Sequence, residues 1–391
     1  MYSKTPRQKR VICIPCDLKK HQKIVKDAIK YRDFLDEVIK KSPELFPIEI
    51  TEGYLMKDIR YSSKLQLYQR RILIKNKSYT IKPSCIMPHN VGLTDEIEKG
   101  LYLRKFNVPY DALSYLFGHD AMYWYRLETQ FGRYDIVGST IKESEQLPED
   151  LLADEKHTRI KGKKAYIATT CAKECILSVD ITNKADEKSL TQAYQIFKDE
   201  AQKLKPNYSP KTVNIDGWKA TENSWLTLFP KISIILCFFQ VFLGLKQKVT
   251  KETKNIFSSI SEKLWDCYKA PNKSSFSQKV RRFYEWALKN DLPDYMLNKI
   301  NKLKHNYLKQ TYEHATAYRT SNLLDRLMVK MDQRLFDTQY FHGSLQQAKL
   351  GIRAWALIQN FAPYTPVTIR KSNGWKSPAV KPALLSSKLV A

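Results

Sequence analysis

Between residues 151 and 237 the spacing of apolar residues changes period several times, and the order of those changes limits the possible folds more than any other feature. Three apolar stretches, 151–154, 165–170 and 175–181, predict consecutive strands. A run over 187–205 then places Leu190, Ala193, Tyr194, Phe197 and Ala201 on one face of a helix. A strand over 212–216, a short helix ending at Phe229-Pro230 and a strand over 232–237 follow. Strands alternating with helices bury their apolar faces only as a layered α/β sheet.

Three strands, a helix, a strand, a helix and a final strand is the order of a ribonuclease-H-like core. That α/β core is expected in two parts, 148–245 and 311–362, the second supplied by amphipathic helices over 320–336 and 344–361. Between them, 246–310 reads as a basic helical insertion, with 15 Lys and Arg against 6 Asp and Glu. Such an excess suits either a solvated helical face or a surface that contacts phosphates. Residues 363–391, with Pro363, Pro366, Pro378 and Pro382, read as an extended, mobile tail.

The chain before the core divides in two. Residues 1–90 form an α+β region to which the sequence assigns no fold, with helices over 22–41 and strand-like segments at 48–50, 71–74 and 79–81. Residues 91–135 predict three short helices, 95–106, 109–117 and 120–131, punctuated by Pro109 and Gly118. They are similar to a helix-turn-helix with Phe117-Gly118-His119 as the turn, which would direct Tyr123, Trp124, Arg126 and Gln130 at the major groove or the backbone. A three-helix packing unit without DNA contact would carry the same pattern.

The 66 Lys and Arg against 40 Asp and Glu leave a formal charge of +26, which points to a polyanionic partner. A membrane is the rival polyanion. The longest apolar stretch, 232–245, has 14 residues interrupted by Ser233, Gln240 and Gly244, short of the roughly 20 that a span needs. The basic start MYSKTPRQKR leads into no apolar leader, and seven irregularly spaced cysteines suggest reduced thiols, so a cytoplasmic, nucleoid-associated protein is expected. Cys13-x-x-Cys16 lacks two further zinc ligands at a suitable spacing, and no Gly-rich phosphate loop occurs.

Phosphoryl transfer assisted by two divalent ions needs carboxylates that converge from separate elements. Asp154 at the end of the first strand (LLADEKHT), Asp216 at the end of the fourth (TVNIDGW) and Asp325 on the helix RTSNLLDRLM stand where that is natural. Each alone is more often a cap or turn residue. Asp180 ends the third strand in a less favourable place, and Glu155 beside Asp154 would point to the opposite face.

These segments, LPEDLLADEKHT, YSPKTVNIDGWKATENSWLTLFPKISIILCFF and YRTSNLLDRLMVKMDQRLFDTQYFHGS followed by IRAWALIQNFAP, resemble insertion-sequence DNA transposases of the acidic-triad (DDE/DDD) class, close to the Mutator-like branch. The resemblance runs from about residue 88 to residue 363. It implies that Asp154, Asp216 and Asp325 are catalytic and bind Mg2+ (or Mn2+) ions. Related enzymes usually carry Glu in the third place; Glu313 and Asp332 are the fallbacks. The Mutator-like branch also carries Cys-x-x-His after the fifth strand, where this chain reads Cys237-Phe-Phe-Gln240, and glutamine cannot titrate as imidazole does.

Near this site Arg319, Asn322 and Arg326 could contact phosphates, although a capped helix with surface arginines would look the same. Trp218 could stack on an unpaired base or belong to the core. The implied activity is metal-dependent cleavage and strand transfer. Its implied partners are double-stranded DNA, both terminal inverted repeats and target, and other copies of the chain as a homo-oligomer in the synaptic complex. An inactive relative that only binds DNA, or another ribonuclease-H-like nuclease, remains the alternative.

Overall fold

A computed structural model describes residues 10–63, 65–87, 92–250, 254–305, 311–372 and 374–379. The chain is mixed α/β and divides into two compact units, Met1–Leu103 and Arg104–Ala391. The division falls inside the segment expected to be the helix-turn-helix region.

The first unit comprises β1 (Val11–Ile14), α1 (Leu18–Ile24), α2 (Ala28–Lys41), β2 (Leu55–Ser62), β3 (Leu67–Ile74), β4 (Lys77–Pro83) and all but the last residue of α3 (Thr94–Arg104). Its sheet has the order β1-β4-β3-β2, with β1 parallel to β4 and the other neighbours antiparallel. Lys75 and Asn76, both at positive φ, make the two-residue turn between β3 and β4, the backbone that a tight hairpin requires. Tyr31, Leu35 and Val38 of α2 recur at helical spacing and pack over Ile12, Ile14, Ile72, Ile74 and Ile81 of the sheet. The strand expected at 48–50 is instead a 3-10 turn, Ile48–Glu52, flanked by Pro47 and by Gly53 at φ +100°; it buries Ile50 alone.

The second unit continues with α4 (Tyr110–Phe117), α5 (Ala121–Phe131) and α6 (Ile136–Thr140). The hairpins β5 (Asp150–Ile160), β6 (Lys163–Ala172) and β7 (Cys175–Thr182) follow, then α7 (Glu187–Leu204), β8 (Thr212–Ile215), α8 (Lys219–Leu228) and β9 (Ser233–Leu236). The sheet order is β7-β6-β5-β8-β9: the β7-β6-β5 neighbours are antiparallel, and β8 and β9 are added parallel to β5. Alternation along the strands feeds two cores. On one face Leu151, Ala153, Val213 and Ile215 meet Leu190, Tyr194 and Phe197 of α7 and Trp225 of α8.

On the other face Leu152, Ile167 and Val179 meet α13 (Asn322–Asp337) and α14 (Leu345–Phe361) through Leu324, Met328, Met331, Ile352 and Trp355. Between β9 and α13 lie α9 (Phe238–Lys246), α10 (Phe257–Tyr268), α11 (Lys273–Lys289) and α12 (Asp294–His305). They gather Phe238, Leu264, Phe276, Phe283 and Met296 into a hydrophobic core of their own. The helical insertion therefore begins at the end of β9, earlier than the expected residue 246, because the apolar face of α9 packs with the inserted helices.

The expected extended tail is partly folded. Pro366 opens α15 (Pro366–Lys371), with its fixed φ suited to a helix start. Tyr364 donates to Glu174 at 2.7 Å, and the Ala379 N–H donates to the Asn360 carbonyl at 3.0 Å. Residues 380–391 lie outside the described residues. No described helix is long and apolar enough to cross a membrane.

Candidate active site

Sheet register brings the first two acids together. In the parallel β5–β8 ladder Leu152 stands opposite Asn214. Two residues on, with the strand period of two preserving the face, Asp154 comes level with Asp216 on the side covered by α13. Asp154 thus lies in the middle of an 11-residue strand rather than at its end, since β5 continues along β6 as far as the Ile160–Lys163 pair. It is β8 that stops, at Ile215.

Gly217 then turns the chain at φ +94°, and a Cβ there would stand 2.5 Å from Leu236 Cδ1. The backbone conformation calls for glycine, and any side chain would also have to displace the end of Leu236. The Asp216 carboxylate accepts from the Trp218 N–H at 2.9 Å, which fixes its direction at the end of the strand.

The third acid enters from above this face. Asp325 occupies the first turn of α13, where its N–H donates to the Ser321 carbonyl at 2.9 Å and its Oδ2 accepts from the Ser321 hydroxyl at 3.1 Å. Ser321 is tied in turn to the end of β9: its N–H donates to Cys237 Sγ at 3.3 Å, and its hydroxyl lies 3.2 Å from the same sulfur. Cys237 and Ser321 thereby position the helix that carries Asp325, a link that joins residues 84 apart in sequence.

Electrostatics couple the acids. Burial pushes the Asp154 carboxyl up to about 7, and the charges of Asp216, Glu155 and Asp325 add to the effect. Burial also raises Asp325, against the stabilising bond from Ser321. Glu155 faces the α7–α8 side as expected, where it accepts from Tyr194 at 2.6 Å and Thr221 at 2.7 Å. Burial nevertheless takes it up to about 7, with Asp216 contributing.

Among the described residues no group of three or more His, Cys, Asp or Glu side chains forms a ready-made metal site. Each acid is instead engaged locally: Asp154 accepts from the Glu155 N–H at 2.8 Å, Asp216 from the Trp218 N–H and Asp325 from the Ser321 hydroxyl. The donor set has the chemistry for a hard divalent cation: two carboxylates on one sheet face and a third on α13, with burial first and the neighbouring charges second favouring a proton on Asp154 that a cation would displace.

The other candidate acids are engaged elsewhere. Asp180 pairs with Lys349 at 2.7 Å, Asp332 with Lys156 at 2.5 Å, and Glu313 with Lys273. Asn322 and Arg326 are exposed on α13 near Asp325. Arg319 differs from its expected role: its guanidinium lies 4.3 Å from the Tyr268 ring centroid and donates to the Tyr268 carbonyl at 2.7 Å, so it secures the helical insertion. Trp218 is half-buried at the start of α8, its ring 6.1 Å from Tyr166, which itself lies 4.9 Å from His157. Tyr166 and His157 were not anticipated; no spacing in the sequence links them to Trp218.

On α5, Arg126 and Gln130 are exposed, and Tyr123 stacks on His119 with centroids 4.1 Å apart. Trp124 corrects an expectation: it is 2% exposed and donates its indole N–H to the Gly118 carbonyl at 3.1 Å, so it belongs to the packing of α4 on α5. In comparisons with known proteins no family model matches the chain, and no curated protein matches it significantly.

Proposed function

We propose that the protein is a DNA transposase of the acidic-triad class, with a ribonuclease-H-like core, that cleaves transposon ends and joins them to target DNA. The observation that carries this reading is the β5–β8 register, which sets Asp154 level with Asp216 beneath the first turn of α13 that bears Asp325. The sheet order, three antiparallel strands extended by two parallel ones with helical crossovers, supports the core assignment.

Asp154, Asp216 and Asp325 would hold magnesium or manganese ions, which when bound supply Lewis-acid activation of a hydroxyl nucleophile and charge neutralisation at the leaving oxygen. The chain's own groups orient the DNA around them. Arg326 and Asn322 present donors to phosphates beside the third acid, and Trp218 offers an aromatic face next to Asp216. Helices α4 and α5 serve as the helix-turn-helix, with Arg126 and Gln130 outward. The protein acts in the cytoplasm on double-stranded terminal repeats and target, as a homo-oligomer that pairs two ends.

The test is incubation of the protein and magnesium with labelled DNA from the ends of the element that encodes it. Cleavage and joining are expected, and each of Asp154→Asn, Asp216→Asn and Asp325→Asn should reduce both by at least about a thousandfold. Retention of the DNA without nicking, which Gln240 makes the leading rival outcome, would instead identify a DNA-binding relative. Cutting without joining would identify a nuclease.

A further inference from the structure

Away from the triad, a cavity of about 360 Å³ opens between α5, α13 and the start of α14. Its floor is an ion cluster. Glu128, 1% exposed, accepts from Arg104 Nε at 2.6 Å and Tyr110 at 3.0 Å through one oxygen, and from Arg334 Nη2 at 2.6 Å through the other. Burial would raise the Glu128 carboxyl, but the two guanidiniums outweigh it and hold it low, so one carboxylate faces two permanent cations.

Arg334 is only 7% exposed, and its Nη1 has no hydrogen-bond partner among the described residues. A buried cation with an unused donor beside a cavity calls for an anion. The walls add a second requirement. Tyr125, Tyr340 and Phe341 line the cavity with aromatic surface, and Arg159 stands over the Tyr340 ring at 5.9 Å. The volume lies at the small end of the range of organic-ligand sites, roughly 300–1,000 Å³.

We propose that this cavity is a nucleotide-binding site, in which Arg334, supported by Arg104, takes a phosphate and the tyrosines take the base. Phosphate matches the fork of a guanidinium, and a base matches the aromatic walls, whereas a bare anion would leave those walls uncovered. The same chemistry is offered by a free nucleotide and by one nucleotide of a DNA strand. None of these residues belongs to the triad, so this reading and the proposed catalytic one stand or fall separately.

Calorimetric titration of the intact protein without divalent ions distinguishes the outcomes, with deoxyadenosine monophosphate, inorganic phosphate and a short single-stranded oligonucleotide as separate probes. Saturable uptake of the mononucleotide is expected, unchanged in Asp154→Asn and at least tenfold weaker in Tyr340→Ala, which alters the rim, and in Arg334→Lys, which keeps the charge but loses the fork. Thermal melts of both variants confirm folding. A Tyr340-dependent affinity that is higher for the oligonucleotide assigns the site to a DNA strand, and the reverse to a free nucleotide. Absence of uptake, uptake indifferent to both variants, or inorganic phosphate binding as tightly as the nucleotide overturns the proposal.

Discussion

Asp154 is half-buried among acids, and that has a thermodynamic consequence which can be read without any DNA. Its carboxyl ionises at an ordinary 3.8 in the unfolded chain and at about 7 in the fold, so between those values the native state retains a proton that the unfolded state has released. The contribution to stability is complete below the unfolded value and is lost as the pH rises through about 7. In metal-free buffer Asp154→Asn should therefore leave stability nearly unchanged at pH 4 and raise it by up to about 4 kcal/mol at pH 8. Denaturant melts at the two pH values measure this, and an equal loss at both would mean that the carboxylate is a structural support rather than a strained ligand.

At the scale of elements, the joint between α5 and α14 is where the helices before the sheet meet the helix that closes it. Gly132 caps α5, and a Cβ there would lie 2.0 Å from the Leu350 carbonyl oxygen of α14, a backbone atom that cannot swing aside. Arg353 on α14 donates to the Gly132 carbonyl at 3.0 Å and pins the same approach. Gly132→Ala should cost about 2 kcal/mol or more by forcing the helices apart, seen as a lower midpoint in thermal unfolding; a wild-type midpoint would show the contact to be slack.

Such joints also mark the limit of what the sequence discloses. Strands β5 to β9 are legible because their apolar runs are bounded by helical runs, although β5 continues well past the expected 151–154, so that Asp154 falls within the strand and only Asp216 stands at a strand end. Strand β1, four residues long, and β2, none of whose residues is buried, carry too weak an alternation to be recognised. The tie from Cys237 through Ser321 to Asp325, the aromatic row from His157 to Trp218 and the buried role of Arg334 all join residues far apart in the chain, where no local period reports a contact.

For the whole molecule the governing quantity is a formal charge of +26, and the helical insertion is the place to ask whether that charge meets DNA. The inserted helices bury their apolar faces in a shared core, which leaves Arg282 and Lys289 of α11 exposed seven residues apart, about two turns along one face. If they contact phosphates, each releases a condensed counterion on binding, and the logarithm of affinity falls with that of salt by about 0.9 per contact. Reversing both, Arg282→Glu with Lys289→Glu, should then lower the slope by about 2 and weaken duplex binding most at low salt, while leaving thermal stability intact because neither side chain is buried. Fluorescence anisotropy of a labelled duplex across a salt series gives the slope. A slope identical to that of the unaltered protein would make α11 a solvated face and move the DNA-contacting charge to another surface of the molecule.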